Sequence, residues 1–201
     1  MADNDAFVRE LHHRVKNNFQ IIASLVNLQK RTLPIDRRDE MRFVEEHVQS
    51  MAAAYRIVVV TDGVVQVALR DLVSEVVDAL RQIVGLNRNS VNVELPLGEC
   101  FVRIDQAIAM ALYLAVLVPP YLDSAATLGG MLRIAVAVED PERVVLSIAA
   151  ATDVTLPPNP LRRRLIAAYV RQLHAEVDPT TESGATCVRI RLQPLQATHF
   201  G

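Results

Sequence analysis

The chain has 201 residues, of which 51% are hydrophobic and 22% are charged, a balance typical of a folded protein and not of a disordered one. This length is enough for one full domain or two small ones, and the absence of Trp means that the core must consist mainly of Val, Leu, Ile and Ala. The formal net charge of −2 gives no overall reason to expect nucleic-acid binding.

The first predicted element is a long amphipathic helix that starts near Asn4 or Asp5, either of which can cap it, and continues without Gly or Pro to Pro34. Its apolar residues recur every three or four positions, as in a coiled coil: Val8, Leu11, Val15, Phe19, Ile22 and Val26. Further apolar residues widen this stripe toward the C-terminal half: Ile21, Leu25 and Leu28. We therefore expect that half of the helix to be buried on two sides.

A turn around Pro34, with Asp36 or Asp39 as a capping residue, leads into a second predicted helix at residues 38–58. Two long helices joined by a short connection form an antiparallel hairpin. Because two helices cannot cover so wide an apolar stripe, we expect a homodimer in which two hairpins build a four-helix bundle.

After residue 62 the pattern changes to short strands and helices in alternation. Strands are predicted at VVQVAL, SVNVEL, MLRIAVAVE, RVVLSIAA and ATCVRIRLQ. Helices are predicted at 71–84, capped by Asp71, at 106–118, capped by Asp105, and from Pro160 to about His174. The predicted fold class is therefore α+β: a helical hairpin at residues 1–62, followed at residues 63–195 by an α/β sandwich whose sheet is covered on one face by helices.

The chain shows no targeting or metal-binding pattern. The N-terminus has no basic-then-apolar signal sequence, and the longest apolar run, Ile108 to Pro120, is too short to span a bilayer. Cys100 and Cys187 lie far apart without the spacing of metal ligands, which favours two reduced thiols. We expect a cytoplasmic protein that binds neither membrane nor nucleic acid.

Two adjacent histidines in the first helix are candidate chemical groups. At about 100° per residue, measured from the centre of the apolar stripe near Val15, His12 lies roughly 60° away and His13 roughly 160° away. His13 is therefore expected on the polar face and His12 against the bundle. An exposed neutral imidazole is a competent nucleophile toward a phosphoryl group, although a histidine on a polar helix face is most often only solvated.

The residues around His13 suit a phosphate. Arg14, Lys16 and Asn17 would offset its charge and donate hydrogen bonds to its oxygens, and Gln20 and Ser24 continue the same polar strip.

The stretch LHHRVKNNFQIIASLVNLQKR resembles the dimerisation and phosphoacceptor helix of the HWE-like subgroup of bacterial sensor histidine kinases, which carries an HRxKN motif. The resemblance implies that His13 is the phosphorylated residue and that Asn17 is the Asn of the motif. A coarser resemblance covers nearly the whole chain, since the hairpin is followed by elements in the order of the kinase ATP-binding domain. The final Gly184-Ala185-Thr186 and the strand after it also match that domain.

Both nucleotide motifs of that family are degenerate here. The helix that carries the asparagine motif keeps its opening, Asp105-Gln106-Ala107, but Ala115 and Val116 stand in place of Asn-Glu and Pro120 in place of the later Asn. The carboxylate and amides that would place a magnesium ion are therefore missing.

The second motif, Asp-x-Gly-x-Gly, is expected after RVVLSI. Asp153 is present there, but no Gly occurs between Gly130 and Gly184, so a glycine-rich nucleotide loop cannot form. The resemblance thus implies a degenerate histidine-kinase-type ATPase domain.

These features predict a dimeric histidine phosphotransferase of a bacterial two-component phosphorelay. His13 would accept a phosphoryl group from a receiver-domain aspartate and pass it to another, and the face of Arg14, Lys16, Asn17, Gln20 and Ser24 would dock the receiver. No cofactor is expected, because the receiver supplies the magnesium. Two alternatives stay open: an ATP-dependent autokinase, and a non-catalytic dimeric adaptor or a phosphatase for response regulators, the latter using Asn17 to orient water.

Overall fold

The computed structural model describes residues 2–61, 64–87, 91–94, 100–128, 132–140, 143–150, 160–182 and 185–192. In the first helix, the described side chains begin at Arg14.

Two long helices form the predicted antiparallel hairpin. Helix α1 spans Ala2–Thr32 and helix α2 spans Arg38–Arg56, and a single 3-10 turn at Ile35–Arg37 lies in the connection. The C-terminal half of α1 packs along α2, since Lys30 bonds to Glu45 near the turn while Phe19 stacks on Tyr55 near the end of α2. The hairpin prediction is confirmed.

Four further helices follow: α3 at Leu69–Val84, α4 at Ile104–Leu117, α5 at Pro119–Leu128 and α6 at Pro160–Gln172. The sequence does not predict α5, because Pro119 and Pro120 are typical of the end of a helix. Proline is tolerated in the first turn of a helix, where its missing N–H would have no intrahelical partner, so the chain can restart a helix there.

The predicted helix caps are wrong at three helices. Helix α1 begins at Ala2, ahead of Asn4 and Asp5, while Asp71 and Asp105 lie inside the first turns of α3 and α4. A carboxylate in the first turn still stabilises the helix, because it faces the positive end of the helix dipole. The side chains of Asp36 and Asp39, the predicted caps of α2, lie outside the described residues.

The described strands form two sheets. Their bounds are β1 Val59–Thr61, β2 Val64–Ala68, β3 Val91–Glu94, β4 Phe101–Arg103, β5 Leu132–Asp140, β6 Arg143–Ala150, β7 Glu176–Glu182 and β8 Ala185–Leu192. A small antiparallel sheet has the order β1-β2-β4, and a larger one has the order β3-β5-β6-β8-β7, in which only β3 and β5 run parallel. Three strands escaped prediction: β1 and β4 have only three residues each, and β7 contains Pro179.

The core lies between the larger sheet and the helices. Alternate residues of β5 and β6 point into it, among them Ile134 and Ile148, and they meet the apolar faces of α3 and α4. Each fully buried aliphatic side chain contributes about 1.5–3 kcal/mol relative to exposure. Helix α2 also takes part, because Ala53 and Ala54 are fully buried within the same core. The α+β class, with a hairpin ahead of an α/β unit, is confirmed.

One stretch of the described residues, Ile104–Thr127, is long and apolar enough to cross a membrane, with a mean hydropathy of 1.5. It is longer than the run recognised in the sequence, because α5 continues it beyond Pro120. However, 72% of its most apolar window is buried inside the protein, where α4 packs against α2, α3 and α6. Its hydropathy is therefore accounted for by its place in the core.

Candidate functional site

His12 and His13 belong to the continuous helix α1, as the sequence predicts. Their side chains precede Arg14 and lie outside the described residues. The helical backbone nevertheless fixes the directions in which neighbouring residues leave the axis, about 100° apart. The site can therefore be built from the described side chains that follow His13 on the same helix.

Four of the five predicted supporting residues share one strip of α1. Asn17, Gln20 and Ser24 are exposed and Lys16 is half-buried. At about 100° per residue all four lie within roughly 60° of the direction of His13. The strip places one ammonium group and two amides within little more than one turn, on the side of α1 that carries His13. Such donors match the oxygens of a phosphoryl group or of an acidic partner.

Ser24 differs from the others in its local bonding. Its hydroxyl donates a hydrogen bond to the backbone carbonyl of Gln20 at 2.9 Å, one turn earlier in the same helix. This proton is therefore used within the helix, and what Ser24 offers a partner is its oxygen as an acceptor.

Arg14 is exposed but leaves the helix about 100° from His13. By the same helical geometry it lies in line with Ile21 and Leu25, on the side of α1 next to the polar strip. The structure thus brings Lys16, Asn17 and the residues after them together, and it sets Arg14 at the border between the polar strip and an apolar side.

The opposite side of α1 is fixed against α2. The rings of Phe19 and Tyr55 stack with centroids 5.1 Å apart and planes inclined by 21°. Lys30 Nζ lies 2.6 Å from Glu45 Oε2, and the Glu45 side chain is only 7% exposed. These two contacts hold α1 at two points about three turns apart, so the helix cannot rotate freely about its axis and the polar strip faces outward.

A third side of α1 is apolar and exposed. Ile21, Leu25 and Leu28 are 58%, 59% and 62% exposed, and Val44 of α2 is 44% exposed. The expectation that this half of α1 is buried on two sides is wrong for the single chain. The reason is geometric: α2 covers only the side that carries Phe19, and no other described element reaches the next side.

The segment aligned with the kinase asparagine motif is part of the core. Ala115 and Val116 are fully buried, and the residues around them in α4 are also apolar and buried. Neither side chain can donate or accept a hydrogen bond. The segment with Asp153, where a glycine-rich loop is expected in the kinases, lies outside the described residues. Within the described ranges no group of three His, Cys, Asp or Glu side chains could hold a metal ion.

Cys100 is a buried free thiol, and burial raises its pKa, which makes it a poor nucleophile at neutral pH. The side chain of Cys187 lies outside the described residues.

A polar cleft of about 460 Å³ lies between the hairpin and α3. Three carboxylates line it, and each is bonded to a basic side chain: Glu45 to Lys30, Glu75 to Arg56 and Asp78 to Arg81. The cleft is therefore close to electrically neutral, which does not favour a cation or an anion.

Sequence reasoning missed a partly buried polar cluster where α2 approaches α5 and α6. It contains Arg42 and Glu46 of α2, Asp123 of α5 and Arg162 of α6. Arg42 and Glu46 show the i, i+4 spacing of a helical ion pair, which was the only available signal. Their link to Asp123 spans 81 residues of sequence and could not be read from any local pattern.

Comparison with known proteins matches the N-terminal part of the chain to histidine kinases. The family model HisKA_2, described as histidine kinase, matches residues 10–84, which include α1, α2 and α3. The sensor histidine kinase PdtaS of Mycobacterium tuberculosis, in strains CDC 1551 / Oshkosh and ATCC 25618 / H37Rv, is 29% identical over 89 residues. This alignment covers 44% of the chain but only 18% of PdtaS.

The fold is similar over nearly the entire length to a solved kinase domain. The histidine kinase domain of the Erythrobacter litoralis EL346 blue-light activated histidine kinase superposes with a TM-score of 0.59 at 18% identity, covering 96% of the chain and 95% of that domain. A longer structure of the EL346 kinase gives a TM-score of 0.59 at 21% identity and covers 92% of the chain and 62% of that protein. The chain therefore has a sensor-histidine-kinase-type scaffold.

Proposed function

We propose that this protein is a histidine phosphotransferase of a two-component phosphorelay. In this proposal His13 carries a phosphoryl group between the aspartates of two receiver domains, and the chain uses no ATP. The proposal is carried by two features that occur together in this chain. A polar strip faces outward beside His13, and the segment at the position of the kinase asparagine motif is apolar and buried.

The only reacting group that this chain must supply is the imidazole of His13. The lone pair of a neutral imidazole nitrogen of His13 attacks the phosphorus of an aspartyl phosphate, a P–N bond forms, and the P–O bond to the carboxylate breaks. The aspartate leaves as a carboxylate, so no external proton is required. Return of the phosphoryl group to a second receiver reverses these steps. Both aspartates and the magnesium ion belong to the receivers.

The polar strip would bind and orient the receiver. Lys16 supplies a positive charge and Asn17 and Gln20 supply amide N–H groups, all on the side of α1 that carries His13. Arg14, at the border of the strip, would contact the rim of such an interface. Protein contacts of this kind are modest in area when the complex must dissociate after each transfer.

The apolar, buried side chains of α4 support transfer without ATP. A nucleotide site needs carboxylate or amide groups facing a magnesium ion and phosphate oxygens. Ala115 and Val116 instead contribute fully buried apolar surface to the core. Restoring a polar, open site here would therefore require repacking of the core as well as a change of side chains.

The exposed apolar side of α1 supports a homodimer. Ile21, Leu25 and Leu28 form a continuous ridge along about two turns of the helix. A contiguous exposed ridge of this kind marks an interface in a soluble protein. Two hairpins that share this ridge would make a four-helix bundle with the polar strips still facing outward.

An ATP-dependent autokinase is the second candidate, and the sequence match favours it, because the curated relatives are sensor histidine kinases. The two candidates differ in the source of the phosphoryl group. In the autokinase it comes from ATP bound by the same protein, whereas in the phosphotransferase it comes from a receiver aspartate.

The decisive experiment follows labelled phosphate. Receiver domains are phosphorylated with a small-molecule phosphodonor, freed of donor and mixed with the full chain. We expect acid-labile label to appear on the wild-type chain and then to move to a second, unlabelled receiver. The His13→Gln variant should acquire no label. Label that comes only from ATP and magnesium would establish the autokinase, and release of free phosphate without a labelled intermediate would establish a phosphatase.

A further inference from the structure

A polar cluster joins the hairpin to the second half of the chain. Arg42 of α2 places its Nη2 atom 2.8 Å from Oδ1 and 3.0 Å from Oδ2 of Asp123 on α5. The Nε–H of the same guanidinium donates to Glu46 Oε1 at 2.9 Å. Arg42 therefore bonds to two carboxylates from separate parts of the sequence, and its bond to Asp123 links α2 to α5.

The two ends of the cluster differ in their contact with water. The Glu46 side chain is 4% exposed, whereas the side chain of Asp123 is 49% exposed. Water therefore still reaches the Asp123 carboxylate. An ionised Glu46 in this position loses most of its hydration, and only its neighbours can compensate.

The groups that face Glu46 come from three helices. Arg42 lies on the same helix, Asp123 on α5 and Arg162 on α6. Helix α4, which packs against α2, carries only Asp105 as a charged residue, in its first turn. His47 is adjacent on α2, where its Nδ1–H donates to the carbonyl of Phe43 at 2.8 Å and burial lowers its pKa.

These surroundings shift the titration of Glu46 strongly. Burial raises the pKa of Glu46 to about 7, against the opposing attraction of Arg42 and Arg162, and the nearby negative charge of Asp123 adds to the rise. When the cluster opens, Glu46 becomes hydrated and its pKa returns toward the ordinary value of 4.5.

We propose that Arg42, Glu46 and Asp123 form a proton-linked clamp, which holds α2 of the hairpin against α5 when Glu46 takes up a proton and loosens when Glu46 is ionised. The clamp goes beyond the proposed phosphotransfer, because it involves neither His13 nor the polar strip. It would make the position of the hairpin relative to α5 depend on pH close to neutrality.

The pH dependence of the clamp follows from the difference between the pKa values of Glu46 in the closed and open clusters. The closed cluster binds a proton more tightly than the open one, so the clamp is strongest below pH 4.5, weakens as the pH rises toward about 7 and changes little above that. The full difference between the two pKa values would change the closing equilibrium by at most about 300-fold.

Amide hydrogen exchange of the full chain tests the clamp independently of phosphotransfer. Exchange in peptides that cover Pro119–Leu128 is measured from pH 5 to 8.5 and corrected for the intrinsic rate. With pKa values of 4.5 and about 7, protection in the wild type is expected to fall by up to roughly 40-fold between pH 5 and 7, and by only about twofold more at higher pH. Glu46→Gln, which imitates the protonated carboxyl, is expected to stay protected at every pH. Glu40→Gln on the same helix is the control, because the Glu40 side chain is 74% exposed, and it should follow the wild type.

The clamp is overturned if Glu46→Gln keeps the pH dependence of the wild type, or if protection in the wild type does not change with pH. A second measurement needs no variant: the ¹³C carboxyl resonance of Glu46 in the wild type is followed by NMR. A titration midpoint near 7 supports the clamp and one near 4.5 refutes it. Because neither readout involves a receiver, a failed clamp and a failed phosphotransfer are distinguishable.

Discussion

Phe19 and Tyr55 stack across the hairpin with ring centroids 5.1 Å apart, and this contact sets the rotation of α1 relative to α2. Phe19 leaves the helix about 120° from the direction of His13. The same rotation therefore leaves Asn17, Gln20 and Ser24 exposed, half-buries Phe19 and leaves the ridge of Ile21, Leu25 and Leu28 uncovered.

Loss of the Tyr55 ring is expected to weaken the hairpin. An offset-stacked aromatic pair contributes about 0.5–1.5 kcal/mol beyond its buried area, and the smaller side chain of Tyr55→Leu also buries less surface. We expect the free energy of unfolding, measured by urea denaturation, to fall by about 1–3 kcal/mol. Tyr55→Phe keeps the ring and should retain most of the stacking. A double-mutant cycle with Phe19→Leu that gives no coupling would contradict this account.

The two histidines of α1 are expected to behave differently. His13→Gln should reduce receiver-to-receiver transfer to background, because residue 13 then has no imidazole nitrogen that can form a bond to phosphorus. His12→Gln is the matched control, since the sequence predicts His12 against the bundle, and transfer should persist. The measurement is the rate at which label leaves a phosphorylated receiver. Loss of transfer in His12→Gln with retention in His13→Gln would reverse the assignment.

Dimerisation should depend on the exposed apolar ridge. Leu25→Glu places a charge where Leu25 is 59% exposed in the single chain and covered in the proposed bundle. Sedimentation equilibrium is expected to show a dimer affinity lowered by at least about tenfold, equivalent to roughly 1.4 kcal/mol or more. Gln20→Glu adds the same charge on the polar strip and should leave the dimer intact. A wild-type chain that is monomeric at all concentrations would refute the bundle.

Magnesium-ATP should not stabilise the protein. A ligand present at 100 times its Kd raises the free energy of unfolding by about 2.7 kcal/mol, which would be visible as a higher Tm. Because Ala115 and Val116 offer no ligand for magnesium, we expect an unchanged Tm and no label from ATP on His13. A clear rise of Tm with ATP that requires magnesium would instead favour the autokinase.

Local patterns predicted most of the elements but not their edges. The helices with long apolar periodicity, such as α1, α2 and α3, lie within two or three residues of their predicted bounds. The caps were mistaken because a carboxylate is favourable both at the cap and in the first turn, and the sequence does not distinguish these positions. Helix α5 and the three-residue strands have too few residues to show a period.

The site on α1 could be predicted because it depends on one helix alone. The direction of each residue from the axis follows from helical geometry, so the polar strip of Lys16, Asn17, Gln20 and Ser24 was available from the sequence. The sequence does not show which apolar residues of α1 are covered, because that depends on where α2 lies. The predicted single stripe is divided by the structure into a covered side with Phe19 and an uncovered ridge with Leu25.

The sequence by itself determined the helical hairpin, the α/β unit after it and the placement of the polar strip, because each follows from the periodicity of neighbouring residues. Only the tertiary structure decided that Ala53 of α2 joins the core and that Arg42 binds Asp123 across 81 residues. The physical reason is that burial and charge pairing depend on groups brought together by packing of the whole chain. The shift of the Glu46 pKa to about 7 is the clearest case, since an isolated helix would leave that carboxylate in water.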